Sequence, residues 1–346
     1  MVNVYYSKDI NAESIRKVFL KALADMPKKI DEADKLAIKV HFGEKGNTRF
    51  VSPKNIAPVV EELKKVNDNM FLTDCNTLYA GMRLNATDHK RIAKEHGFEA
   101  LELPIVIGDG EHGDEEVNVP VNKPIFETVK IGKEIAEADA LVVVSHFKGH
   151  MLFGFGGAIK NLGMGCGSRA GKLEMHSKIK PSISKTCRKC GACIENCSVH
   201  AISFSGHDGI AEIDQSLCMG CAKCISSCKF GSVMIPWGGN TSEEAQERCS
   251  EYAYGAVLEK KCVYITFINN IAKDCDCAKD SPIIGEDVGL VASVDPVALD
   301  RAAYDLSFKM NEEDIFKNNT HRDGTHILDY SEEIGLGRQD YDLITL

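Results

Sequence analysis

Short apolar runs rich in β-branched residues recur along the chain at residues 2–6, 36–42, 70–74, 101–107, 141–145, 263–269 and 288–295. Runs of that length and composition predict strands. Helical patterns lie between several of them. Across residues 12–26 the apolar positions Ile15, Val18, Phe19, Ala22, Leu23 and Met26 recur at helical spacing. Ser52-Pro53 supplies an N-cap and a first-turn proline for a helix over 54–66. Thr241 and Glu244 form a capping box opening a helix towards Glu259, and Asp295-Pro296 opens another over 297–308. Strands alternating with helices predict an α/β fold, a mostly parallel sheet covered by helices.

The alternation stops between residues 184 and 237 and resumes after it. The expected organisation is an α/β body in two parts, 1–183 and 238–346, with an inserted iron–sulfur module at 184–237. A chain of 346 residues exceeds what one core usually organises, which agrees with a body plus an insert. The formal charge of −10 disfavours nucleic acid and anionic lipid surfaces as partners. No apolar stretch reaches membrane-spanning length, and residues 1–9 do not read as a secretory signal. Fourteen cysteines in a long chain without a signal point to reduced, metal-binding thiols in a cytoplasm, rather than to a disulfide scaffold.

Eight of those cysteines form two matched quartets. Cys187, Cys190, Cys193 and Cys197 follow the spacing C-x2-C-x2-C-x3-C, and Cys218, Cys221, Cys224 and Cys228 repeat it. The repeat extends beyond the thiols, with Ile194 matching Ile225 and Ile202 matching Val233. A tight loop presents three thiolates to a cubane but cannot wrap far enough to supply the fourth. In two-cluster ferredoxins the fourth ligand comes from the other half. That rule assigns Cys187, Cys190, Cys193 and Cys228 to one 4Fe–4S cluster, and Cys218, Cys221, Cys224 and Cys197 to the other. The small residues Gly191, Ala192, Gly220 and Ala222 let backbone amides approach the sulfides. Structural zinc, which pairs two C-x2-C knuckles across a longer gap, does not match this spacing. Ser198 and Lys229 stand where a proline usually follows the fourth cysteine.

Open α/β sheets bind ligands at the carboxyl ends of their strands. If the strands are parallel, one rim collects His41, Asp74, His146, Lys148, His150 and Asn270, along with Asp295 and Asp300. Taken singly, such residues are as readily turn or capping residues. The glycine-rich run 149–167 contains Lys160 and suggests backbone amides converging on an anion, or else close packing of a helix on the sheet. Asp274-Cys275-Asp276-Cys277 offers two thiols and two carboxylates, a candidate third metal site at Cys275 and Cys277. Cys75, Cys249 and Cys262 read as buried apolar residues.

Five segments carry a resemblance: Lys39-Val40-His41-Phe42-Gly43-Glu44, Asp74-Cys75-Asn76-Thr77-Leu78-Tyr79, Gly156-Gly157-Ala158-Ile159-Lys160-Asn161-Leu162-Gly163, Asp274-Cys275-Asp276-Cys277 and Asp295-Pro296-Val297-Ala298-Leu299-Asp300. Through them the chain resembles the ferredoxin-bearing proteins grouped as domain of unknown function 362, whose body is similar to that of lactate-racemase-like proteins. The resemblance implies a cleft with histidines and lysines near a cofactor. The expected function is electron transfer through two 4Fe–4S clusters to a redox partner protein, or to and from a site in the body. The alternative is an oxidoreductase or metal-dependent enzyme acting on a small anionic substrate at the rim, through His41, Asp74, His146, Lys148, His150, Lys160 and Asn270.

Overall fold

The structure, a computed structural model, describes residues 1–79, 81–204, 209–236 and 239–346. The apolar runs become strands of one sheet: β1 (Val2–Ser7), β2 (Leu36–Lys39), β3 (Met70–Asp74), β4 (Ile105–Ile107), β5 (Ala140–His146), β6 (Lys261–Ile268), β7 (Gly289–Ser293) and β8 (Tyr341–Thr345). Their order is β8-β1-β7-β6-β5-β2-β3-β4. Neighbours run parallel along β8-β1 and from β6 to β4. Strand β7 is antiparallel to both β1 and β6.

Successive strand residues point to opposite faces, and both faces are buried. Leu36, Ile38, Val142, Val144 and Ile265 join a core with Ile15, Phe19, Ile56 and Val59. These last residues come from helices α1 (Ala12–Ala24) and α2 (Pro53–Leu63). On the other face Ala37, Leu141, Val143 and Tyr264 pack with residues of helices α3 (Ala158–Cys166), α5 (Ser242–Val257) and α6 (Pro296–Asn311). Helix α4 (Arg169–His176) follows α3 directly. The caps act as the sequence implies. Ser52 accepts from the Asn55 amide, Thr241 and Glu244 close a capping box, and Asp295 accepts from the amides of Val297 and Ala298.

Three expectations change. The 36–42 run leaves the ladder after Lys39, where the ring of His41 turns back to accept from the Gly43 amide. The 101–107 run splits into a 3-10 turn, Phe98–Leu101, and the short strand β4. Because β7 is antiparallel, Asp295 sits at the opposite end of the sheet from His41 and Asp74. The joint rim therefore loses Asp295.

The cysteine-rich segment builds two small ladders. Ser182–Ile183 pairs with Val233–Met234, and Ile202–Phe204 pairs with Ala211–Ile213. The strand entering the first half thus pairs with the strand leaving the second, and the reverse. Two short helices, Ala192–Glu195 and Lys223–Ser227, lie between. Ile202, Ala211, Ile225 and Val233 form a small core of their own, joined by Leu78 and Leu173 of the body. Lys223 also pairs with Asp114 at 2.6 Å. The expected boundary residue Trp237 lies outside the described residues. Among the described residues no helix is long and apolar enough to cross a membrane.

Candidate functional site

At the carboxyl ends of β2, β3 and β5 lies a cavity of about 420 Å³. Its lining includes His41, Asp74, His146, Lys148, His150, Lys160, Cys275 and Cys277. Asn270 is not brought there. It takes a left-handed φ of 49° in an exposed turn, and its amide donates to Asp287.

Asp74 ends β3 and is almost fully buried. Lys39 meets its Oδ1 at 3.0 Å and Arg83 Nη1 meets its Oδ2 at 3.3 Å. Burial alone would raise its pKa. The cations around it, Lys39 foremost, outweigh burial and hold it well below the usual carboxylate range. Asp276 forms the second buried centre. Lys148 Nζ lies 2.9 Å from one oxygen and His146 Nδ1 lies 2.8 Å from the other. Burial again opposes ionisation, and Lys148 and His146 again overcome it. The remaining nitrogen of His146 faces the Asn269 carbonyl at 2.8 Å, so the ring is pinned between two acceptors. Asp276, flanked by the candidate thiols, thus organises cations instead of standing free as a ligand.

Cys277 differs from the other thiols of the body. Arg83 Nη2 donates to its sulfur at 3.0 Å, and His41 Nε2 lies at 3.5 Å. Because His41 Nδ1 accepts from the Gly43 amide at 3.1 Å, its ring proton belongs on Nε2, aimed at the sulfur. A hydrogen bond from the Cys275 thiol, then Arg83 and His41, hold Cys277 well below the ordinary thiol range against the opposing effect of burial. Cys275 moves the other way, raised by its contact with Cys277 and by burial. Burial pushes Cys249 and Cys262 up to about 12 and Cys166 to about 11, so these are inert, protonated thiols. Cys75 is raised as well. Among the described residues no three His, Cys, Asp or Glu side chains gather about a point where a single metal ion would sit. No third ligand of those types thus joins Cys275 and Cys277.

Lys160 and Lys172 add cations to the cavity lining. Lys160 lies over the Phe153 ring at 5.5 Å, and no ion pair engages it among the described residues. Burial, helped by Lys160 and Lys172, pushes His176 down to about 3, and burial with Lys160 lowers His150. His150 Nδ1 accepts from the amides of Leu152 and Phe153, which leaves its proton on Nε2. The glycine-rich run does not offer its helix amides to a ligand. The first amides of α3, at Ala158 and Ile159, donate to Asp300 at 2.7 and 2.9 Å. A Cβ on Gly157 would stand 2.3 Å from an oxygen of Asp300, so this glycine serves close packing. Sequence reasoning missed Lys39, Arg83, Lys172 and His176. Lys39 carried a signal, a charge inside an apolar strand run. Arg83 carried none.

The cysteine quartets meet across the repeat. A small second cavity is lined by Cys187, Cys190, Cys193 and Cys228 together. Burial raises Cys224 to about 12, reinforced by the thiols of Cys221, Cys218, Cys193 and Cys197. The backbone repeats as well. Left-handed φ angles occur at Lys189, Gly191 and His200, and again at Gly220, Ala222 and Gly231, each 31 residues on. The fourth thiols match too, since Cys197 accepts from the Ala201 amide and Cys228 from the Ser232 amide, both at 3.2 Å. All fourteen cysteines are free.

Comparison with known proteins returns a family and nine chains of solved structures, among them the following two. No curated protein matches the chain. The lactate racemase apoprotein from Thermoanaerobacterium thermosaccharolyticum aligns at 12% identity and a TM-score of 0.40, over 78% of this chain and 51% of that one. A Thermotoga maritima protein aligns at 11% identity and a TM-score of 0.40, over 89% of this chain and 60% of that one. The chain therefore spans little more than half the length of either. The family described as "Domain of unknown function (DUF362)" matches residues 36–305, over three-quarters of the sequence, and the chain belongs to that family.

Proposed function

We propose that the chain is an iron–sulfur redox protein that binds two 4Fe–4S clusters and passes electrons between them and the cavity at the sheet rim. The observation that carries this reading is the crossed grouping of thiols: Cys228 shares a cavity with Cys187, Cys190 and Cys193, a whole half-module away in sequence. A cubane needs four thiolates, and this donor set brings four together from two halves. Amide donors on Cys187, Cys197 and Cys228 suit sulfurs that carry negative charge. When bound, the clusters supply electron storage at potentials tuned by such hydrogen bonds and by burial.

Leu78 supports the link to the body. It lines the cavity and also packs in the small core that holds Cys193 and Cys224. The cavity's own residues suit a small anionic ligand. Lys160 and Lys172 face it, while Asp74 and Asp276 are already neutralised by their own cations. Cluster-binding thiols suit a reducing compartment such as the cytoplasm, with a redox partner protein as electron source or sink.

Anaerobically purified protein should carry about eight irons and eight sulfides per chain, because two cubanes hold four each. The crossing is testable by pairing variants. Cys187→Ala with Cys228→Ala should lose about four irons, and Cys187→Ala with Cys197→Ala should lose about eight. A colourless anaerobic preparation filled with zinc would overturn the reading. The reverse pattern in the double variants would overturn the crossed ligation alone.

A further inference from the structure

We propose that Cys277 is a nucleophile, and that the cavity around it takes small carbonyl compounds bearing an anionic group. The inference deepens the reading of the cavity as a reaction site and rests on it. It depends on no metal.

Four observations converge. The sulfur of Cys277 is held between Arg83 Nη2 at 3.0 Å and the proton-bearing Nε2 of His41 at 3.5 Å. Both are donors, and a sulfur facing two donors is favoured as thiolate. Arg83 is itself fixed, by Asp74 at 3.3 Å and by the Tyr79 hydroxyl at 2.6 Å, so it does not swing away to solvent. Cys277 is only partly buried and lines a cavity large enough for a small molecule, whereas Cys75, Cys166 and Cys249 are fully buried. Finally, Lys160 and Lys172 line the same cavity, and no carboxylate pairs with either within salt-bridge range among the described residues. The site thus combines a nucleophile with cations that would hold a carboxylate or phosphate beside it.

The chemistry is simple addition. The Cys277 sulfur supplies the electron pair of a new S–C bond at the carbonyl carbon. The C=O π pair moves to oxygen, which takes a proton from water. No electron leaves or enters in this step. The product is a hemithioacetal-type adduct, and reversal of the same step releases the carbonyl compound and the thiol. Cys275, whose thiol is held protonated by its neighbour and by burial, is the donor that steadies the thiolate and is not the attacking group.

The test uses anaerobically prepared, iron-loaded protein and two alkylating probes, iodoacetate and its neutral analogue iodoacetamide. Each forms an S–C bond as iodide leaves. Peptide mapping reads each cysteine separately, and an iron assay on the same sample reports cluster loading independently. The expected result is alkylation of Cys277 about tenfold faster than of Cys275, at a rate nearly constant from about pH 6 to pH 8. Iodoacetate should outpace iodoacetamide at Cys277, and Lys160→Gln with Lys172→Gln should erase that preference while leaving iodoacetamide labelling in place. His41→Asn should make the Cys277 rate rise with pH as an ordinary thiol's does. A wild-type Cys277 rate that climbs through pH 8–9, or equal rates for the two probes, overturns the proposal even if the irons are all present. Loss of iron with unchanged Cys277 labelling would sink the cluster reading and leave the nucleophile standing.

Discussion

Asp300 shows how far one buried side chain can depart from its solution behaviour. It is fully buried, and burial pushes it up to about 7 even though two helix amides hydrogen-bond to it and partly offset the effect. A carboxyl whose pKa is raised in the folded state holds its proton longer there than in the unfolded chain. Stability therefore falls with rising pH between its unfolded value of 3.8 and about 7, opposite to the usual salt-bridged carboxylate. Denaturant titrations should show the stability difference between wild type and Asp300→Asn shrinking over that window. A difference that stays constant would contradict the assignment. Asp74 has the opposite sign, since its pKa is held down, so its contribution is present at neutral pH and is lost as pH falls below 3.8. Replacing it by alanine strands Lys39 and Arg83 in the interior and should cost about 3–5 kcal/mol in urea unfolding. Residues of this kind were only half legible. Asp74 and His41 stood out because they follow strands. Arg83 did not, because nothing in a linear sequence says that it folds back over Asp74 and Cys277.

Among the elements, capped helices were the most legible, since caps are local chemistry. Ser52, Thr241 with Glu244, and Asp295 each cap the helix their spacing implied. Strand direction was not legible. Strand β7 is a short apolar run like the parallel strands of the sheet, and its reversal depends on the path of the chain around it. That reversal removed Asp295 from the rim. Strand β8 was missed because its alternating, half-exposed sequence at the sheet edge lacks a solid apolar run. The glycines of α3 were read two ways, and packing fits the contacts. A Cβ on Gly163 would come within 2.3 Å of the Cys249 carbonyl on α5. Gly163→Ala must push these two helices apart and should cost about 1–3 kcal/mol, measured by thermal or denaturant unfolding. An unchanged midpoint would show that the helices have slack.

For the whole molecule, the junction of module and body is what matters. Leu78 and Leu173 join the module's small core from the body side, and the Lys223–Asp114 pair is the nearby polar tether. The tether is partly exposed, so Lys223→Gln should change stability by no more than about 1 kcal/mol. Leu78→Ala removes a buried contact shared by the two parts and should cost about 2–4 kcal/mol. If the proposed clusters are bound, its brown colour should bleach in air faster than that of Lys223→Gln, and equal bleaching would argue that the junction does not protect the thiols. The internal repeat of the cysteine-rich segment was legible in its spacing, and the left-handed backbone positions repeat with it. The exchange that pairs Ser182–Ile183 with Val233–Met234 was not, because partners about fifty residues apart leave no local trace.

That exchange bears on how the protein is made. The strand at Ser182–Ile183 waits for Val233–Met234, about fifty residues later in synthesis. At about 5–20 residues per second the ribosome takes roughly 3–10 s to deliver it. During that interval Cys187, Cys190 and Cys193 emerge without Cys228, a three-sided nest open to any passing metal or oxidant. Under the proposed cluster reading, iron delivered too early would meet an unfinished nest, so the timing of metal delivery relative to translation, and not only its supply, would decide how much of the protein matures.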